Sequence, residues 1–246
     1  EYIPMDQMPK VQWNNEHAHN FVTDDTIYIN TWIGKYASLI TPGYCECTLK
    51  TLYSLVYPEI FNFLSQQLNL TLQLKPIEYY LGCKIDYSHY NIAPIDSFLE
   101  TEKRKKVLFC NGPSLSGQCN YTGDLSEIID EVSDIHSDIC FITTHNTELQ
   151  KENVKYTADI IRNEDQDLYE ISYLSKFCDF MIGRYSGPFI FTNAIVENMS
   201  DESKKFLCFG EKAIDCHPYE MTFDSEFVFE EFSSLDSLKK TILDMI

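Results

Sequence analysis

The chain has 246 residues, of which 44% are apolar and 14% aromatic against 23% charged, a balance that supports a buried core and excludes disorder as the main state. Its 19 Lys and Arg against 38 Asp and Glu give a formal charge of -19, which repels phosphate backbones and anionic lipid head groups and excludes nucleic acid and acidic membranes as partners. No apolar run approaches the ~20 residues of a membrane helix, so no transmembrane segment is expected.

The start, Glu1-Tyr-Ile-Pro4, has neither the basic region nor the apolar core of a signal peptide, and without Met it reads as a processed product or a piece of a longer chain. Nine Cys are scattered, several inside apolar runs, which points to reduced, buried thiols and a cytoplasmic location. Sequons at Asn69, Asn120 and Asn198 would matter only in a secreted chain.

In chain order, Ile27 to Trp32 reads as a strand, Leu49 to Leu68 as a helix broken or kinked at Pro58, and Leu70 to Leu74 as another strand. The polar stretch from Ser97 to Lys106 marks the expected boundary between a domain over residues 1–100 and one over 101–246. Beyond it, strands are expected at Val107 to Cys110, Ile139 to Thr143, Val154 to Thr157, Phe180 to Ile182 and Phe206 to Phe209. Between and after them come helices at Leu125 to Val132, Leu168 to Phe177, Pro188 to Glu197 and Leu235 to Met245, while the acidic run Asp224 to Glu231 reads as a solvated strand and turn. This alternation predicts an α/β fold with right-handed crossovers and a parallel sheet.

In open sheets of this kind ligands bind beyond the carboxyl ends of the strands. The loop after Cys110 carries Asn111, Gly112, Ser114, Ser116, Gly117 and Gln118, a composition that suits either close main-chain approach to a phosphate or an ordinary polar turn. The loop after Ile182 reads Gly183-Arg-Tyr-Ser-Gly-Pro188 and runs into a helix, with Ser186 placed as N-cap and Pro188 in the first turn. Gly187 allows close approach to the free N–H groups there and Arg184 adds a cation, so the pair of loops suits a diphosphate.

The stretch from Asp167 to Pro188, above all Ser186-Gly187-Pro188, resembles the last nucleotide-sugar motif of GT-B glycosyltransferases of the heptosyltransferase type, and Val107 to Gln118 resembles the first strand and turn of the same carboxyl-terminal domain. The resemblance covers roughly the second half of the chain. It implies two Rossmann-like domains and transfer of a sugar from a nucleoside diphosphate sugar to a glycan or lipid-linked acceptor in polysaccharide biosynthesis; at ~100 to 200 residues per domain, the region before Ser97 is short of a full one, so the amino-terminal domain is expected to be incomplete. By the same resemblance Ser186, Gly187 and Pro188 lie at the donor diphosphate, and Thr143, Thr144 and Asp159 flank the nucleotide. Three positions depart from the family: Arg184-Tyr185 stands where Asn-Asp is usual, Ile190 where a His often follows, and the first loop lacks its usual basic residue.

Such an enzyme needs no metal and no cofactor beyond its donor substrate. Oriented N–H dipoles and Arg184 would stabilise charge on the departing diphosphate. A base for the acceptor hydroxyl is sought among Glu16, His17, His19, Asp24 and Asp25. His17-Ala-His19 and Cys45-Glu-Cys47 lack the spacing of a zinc site. A nucleotide-sugar epimerase and a non-catalytic scaffold of the same fold are the alternatives.

Overall fold

A computed structural model of the chain describes residues 20–22, 26–29, 56–74, 84–112, 121, 123–161, 167–184, 187–193, 195–210 and 224–246, and these form eight short strands with helices between them. These residues fall into two units, one within Glu1–Tyr80 and one within Leu81–Ile214 and Thr222–Ile246.

In the first unit, β1 (Asn20–Val22) pairs antiparallel with β2 (Ile27–Ile29), Asn20 opposite Ile29. Helix α1 (Tyr57–Leu68) has Pro58 in its first turn, where a missing N–H costs nothing. Val56 before it is itself in a helical conformation (φ -76°, ψ -51°), and residues 49–55, on which the expected break or kink at Pro58 depends, lie outside the described residues. Helix α1 ends on Asn69, which takes a left-handed conformation (φ 51°). Val56 and Ile60 are buried, with Ile29 and Leu64 packed against them. The strand expected at Leu70 to Leu74 does not form. The left-handed cap turns the chain back on its own helix, so the N–H groups of Leu70 and Leu72 donate to Ser65 (O at 3.0 Å, Oγ at 3.2 Å) instead of to a neighbouring strand.

The second unit runs α2 (Ala93–Thr101), β3 (Lys105–Cys110), α3 (Ser126–Ile135), β4 (Ile139–Thr143), β5 (Val154–Tyr156), α4 (Thr157–Ile161), α5 (Leu168–Ser175), β6 (Phe180–Arg184), α6 (Gly187–Asn193), α7 (Val196–Met199), β7 (Lys205–Gly210), β8 (Glu226–Glu231) and α8 (Leu235–Met245). Its six strands form one sheet in the order β5-β4-β3-β6-β7-β8, every neighbouring pair parallel. Alternate residues of each strand point to opposite faces. On one face Val107, Phe109, Phe141, Phe180, Ile182 and Leu207 pack with Ile129 of α3 and Ile242 of α8. On the other, Leu108, Cys110, Ile142, Met181 and Phe206 pack with Ile95 of α2, Ile161 of α4, Leu174 of α5 and Phe189 of α6. A sheet covered on both sides accounts for the unbroken apolar runs of its central strands.

Several boundaries differ from expectation. The polar segment Ser97 to Lys106 does not separate units: it holds the end of α2 and the start of β3, and Ile95 is fully buried in the sheet core. The helix expected from Pro188 to Glu197 is two short ones, because Ile195 between them is extended (φ -78°, ψ 132°) and fully buried. The acidic run near the end forms β8, paired along its length with β7. Asn198 is fully buried, its Nδ2 donating to Ser175 Oγ at 2.8 Å and the Thr192 carbonyl at 2.7 Å, so that sequon sits in the core. Among the described residues no helix is long and apolar enough to cross a membrane.

Candidate functional site

From β3 the chain moves outward through β4 to β5, then returns to lay β6 on the opposite side of β3 and continues outward through β7 and β8. The direction of winding therefore reverses between β3 and β6, whose carboxyl ends lie side by side with Cys110 opposite Gly183. The helices that follow these two strands, α3 and α6, pack on opposite faces of the sheet, the topological position at which ligands bind in doubly wound sheets. The two loops singled out by composition, after Cys110 and after Ile182, are the two that leave this point.

Helix α6 is drawn tightly against β6. A methyl group on Gly183 would come within 2.7 Å of Phe189 Cδ2 and 2.9 Å of Cys110 Cβ, so the close approach of helix and strand depends on glycine. Phe189 is itself fully buried, which anchors α6 and sets Gly187 and Pro188 at the carboxyl end of β6.

Arg184 is the last residue of β6 and is fully buried. It shares the face of Phe180 and Ile182, four and two residues back, so strand alternation directs it over the apolar core and not out beside α6. Its Nη1 donates to the carbonyls of Asn111 (2.7 Å) and Gly112 (2.9 Å), its Nε to the carbonyl of Tyr121 (3.0 Å), and its Nη2 to the carbonyl of Gly123. The guanidinium carbon lies 5.6 Å from the centre of the Tyr121 ring and 5.7 Å from that of Phe209. Tyr121 in turn stacks on Phe232, centroids 4.5 Å apart. The cation thus joins both ends of the β3 to α3 connection to the sheet.

Asn111 is also buried. Its Oδ1 accepts the His145 N–H at 2.8 Å and its Nδ2 donates to the His145 carbonyl at 3.0 Å, which prolongs the pairing of β3 with the chain leaving β4. Thr143 is buried beneath the same rim and Thr144 half-buried, its N–H on the Phe109 carbonyl at 3.0 Å. Asp159 is exposed on α4 after the edge strand β5, two strands removed from β3. Asn111, Gly112, Arg184, Gly187 and Pro188 therefore share the switch of strand order, Thr143 and Thr144 adjoin it, and Asp159 does not. Ser114, Ser116, Gly117, Gln118 and Ser186 lie outside the described residues, as do Glu16, His17, His19, Asp24 and Asp25.

A groove of about 800 Å³ occupies another place, between α2 and the β5 edge, and Asp159 and Lys155 line it together with Arg104 and Glu102. Arg104 Nη2 meets Glu102 Oε2 at 2.6 Å, and that hydrogen bond holds the Glu102 carboxyl down at about 2. The charges there are largely matched to one another, whereas the switch point is built from strand ends.

Composition did not single out the aromatic and acidic rim near the start of α5. Tyr169 is 41% exposed, stacks on Tyr90 at 4.3 Å and meets Phe191 edge-on at 5.3 Å. Burial, and after it the neighbouring Glu170 charge, push the Asp167 carboxyl up. Since α5 runs back toward the start of β6, its first turn lies toward the carboxyl ends of the strands; that topological argument was available from the order of elements alone. Among the described residues no group of three or more His, Cys, Asp or Glu is arranged to hold a metal ion.

The sheet order and the helices on both of its faces define a doubly wound, Rossmann-like α/β fold. No family model matches the chain, and no curated protein matches it. Among solved structures the chain is similar to the crystal structure of the glycosyl transferase family 9 from Veillonella parvula DSM 2008, with 11% sequence identity and a TM-score of 0.42 over 68% of this chain and 47% of that one. The chain thus spans about half the length of that protein.

Proposed function

We propose that the chain is a glycosyltransferase that takes a sugar from a nucleoside diphosphate sugar and passes it to a hydroxyl acceptor. One observation carries the reading: the reversal of strand order falls between β3 and β6, the two strands whose following loops have the composition of phosphate-binding turns. In this reading the donor diphosphate rests at Gly112, Gly187 and Pro188, together with Ser186 and the Ser114 to Gln118 segment, and the nucleotide extends past Thr143 and Thr144.

The reaction forms a bond between the acceptor oxygen and the anomeric carbon as the bond from that carbon to the diphosphate breaks. The acceptor proton passes to a base, and the departing diphosphate carries the electron pair. Charge growing on the diphosphate is met by main-chain N–H groups already in position, which need no reorganisation during the step. The acceptor-side base is assigned to Glu16, His17 or His19, in the amino-terminal domain of a two-domain transferase. A metal is not required by this arrangement.

Mass spectrometry of reactions containing UDP-, GDP- and ADP-sugars with glycan and lipid-linked acceptors tests the reading. Transfer gives an acceptor heavier by one sugar residue and free nucleoside diphosphate. Isomerised free donor with no change in the acceptor would instead establish an epimerase.

A further inference from the structure

Arg184 is fully buried and its guanidinium is turned onto main-chain carbonyls. Four main-chain carbonyls, those of Asn111, Gly112, Tyr121 and Gly123, converge on one guanidinium. Carbonyl oxygens carry partial negative charge, and four of them turned toward a crevice would repel a diphosphate. Every peptide bond in the described chain is trans, and in a planar trans peptide the N–H points opposite to the C=O. The N–H of Gly112, which shares a peptide unit with the Asn111 carbonyl, and that of Asp124, which shares one with the Gly123 carbonyl, are thereby directed away from the guanidinium.

The planar fork of arginine suits this task. Its donors diverge in one plane and reach several acceptors at once, whereas a lysine ammonium is a point charge on a flexible stem. The Tyr121 and Phe209 rings near the guanidinium fix that plane.

From this geometry we infer that Arg184 is a positioning residue that makes the switch point selective for anions: it draws the carbonyls of Asn111, Gly112, Tyr121 and Gly123 inward, so that the N–H groups of Gly112 and Asp124 are the dipoles left for the ligand. The inference rests on the reading of the switch point as a diphosphate site. It separates Arg184 from the leaving group, and it predicts that the residue governs preference for charge more than recognition of the nucleoside.

The test compares affinities of wild type, Arg184→Lys and Arg184→Met for UDP, GDP and ADP with those for uridine, guanosine and adenosine, by calorimetry. The diphosphate that binds wild type best should lose about tenfold or more in Arg184→Met and an intermediate amount in Arg184→Lys, while the matching nucleoside stays within about twofold. Should Arg184→Met fail to fold, as judged by its melting transition, Arg184→Lys carries the comparison with an expected loss of roughly threefold or more in the diphosphate-to-nucleoside ratio. Equal loss of diphosphate and nucleoside, or an unchanged ratio in a folded variant, overturns the inference and leaves the proposed function standing. A wild type that binds no diphosphate overturns the reading of the site itself.

Discussion

Arg184 Nη1 lies 2.7 Å from the carbonyl oxygen of Asn111, across the point where the sheet reverses its winding. The last residue of β6 is thereby tied to the first residue beyond β3, and the two strand ends are held as one unit. Fixing the rim in this way, before any ligand arrives, is what a preorganised anion site requires.

Glycine at 183 is a requirement of the same rim. Gly183→Ala forces either Phe189 or the Cys110 side chain to move, since the added carbon falls inside 3.0 Å of both. Overpacking of this kind costs about 1–3 kcal/mol. Urea unfolding should show that loss, and diphosphate affinity should fall with it because α6 carries Gly187 and Pro188. Unchanged stability would mean that α6 sits farther from β6 than described.

Removing the Asn111 amide breaks the bridge to His145. Asn111→Ala leaves the His145 N–H and carbonyl without their partner, at a cost of about 1–3 kcal/mol. Chemical denaturation measures it, and a variant as stable as wild type contradicts the role given to the bridge.

Much of this was legible in the sequence. Strands β3, β4, β6 and β7 were readable because both faces of each are covered, so each is an unbroken apolar run. Helix α2 was missed because its outer surface is polar and Ile95 is its one fully buried residue. The burial of Arg184 was also within reach: it lies in step with Phe180 and Ile182, and continuing that two-residue period places it on the core face. Its nearness in sequence to the start of a helix points instead to a place beside that helix's N–H groups. The Asn111 bridge had no sequence signal, since its partner lies 34 positions away.

Acid should weaken the protein partly through Glu102. Its hydrogen bond with Arg104 holds its folded-state value at about 2 against an ordinary 4.5, so the stabilisation is present in full above 4.5 and is lost as the pH falls from there toward about 2. Glu102→Gln should be less stable than wild type by about 1–2 kcal/mol near neutrality. The gap should shrink below about pH 4 in thermal melts recorded across the range; a gap independent of pH contradicts the pairing.

Burial pushes the thiols of Cys110, Cys140 and Cys178 up to about 12. Thiolate is the reactive form, so alkylation by iodoacetamide at about pH 8 should spare all three in the folded protein and modify them in denaturant. Peptide mapping by mass spectrometry distinguishes the outcomes, and rapid native labelling of Cys110 would contradict the packed interface between β3 and α6.

Amide hydrogen exchange with and without saturating nucleoside diphosphate tests the central claim most directly, because it reads the position of the ligand independently of turnover. The account predicts slowed exchange in peptides spanning Cys110 to Gly112 and Gly187 to Phe191, with no change around the groove lined by Arg104, Lys155 and Asp159. Protection confined to that groove, or absent from both strand ends, would contradict it.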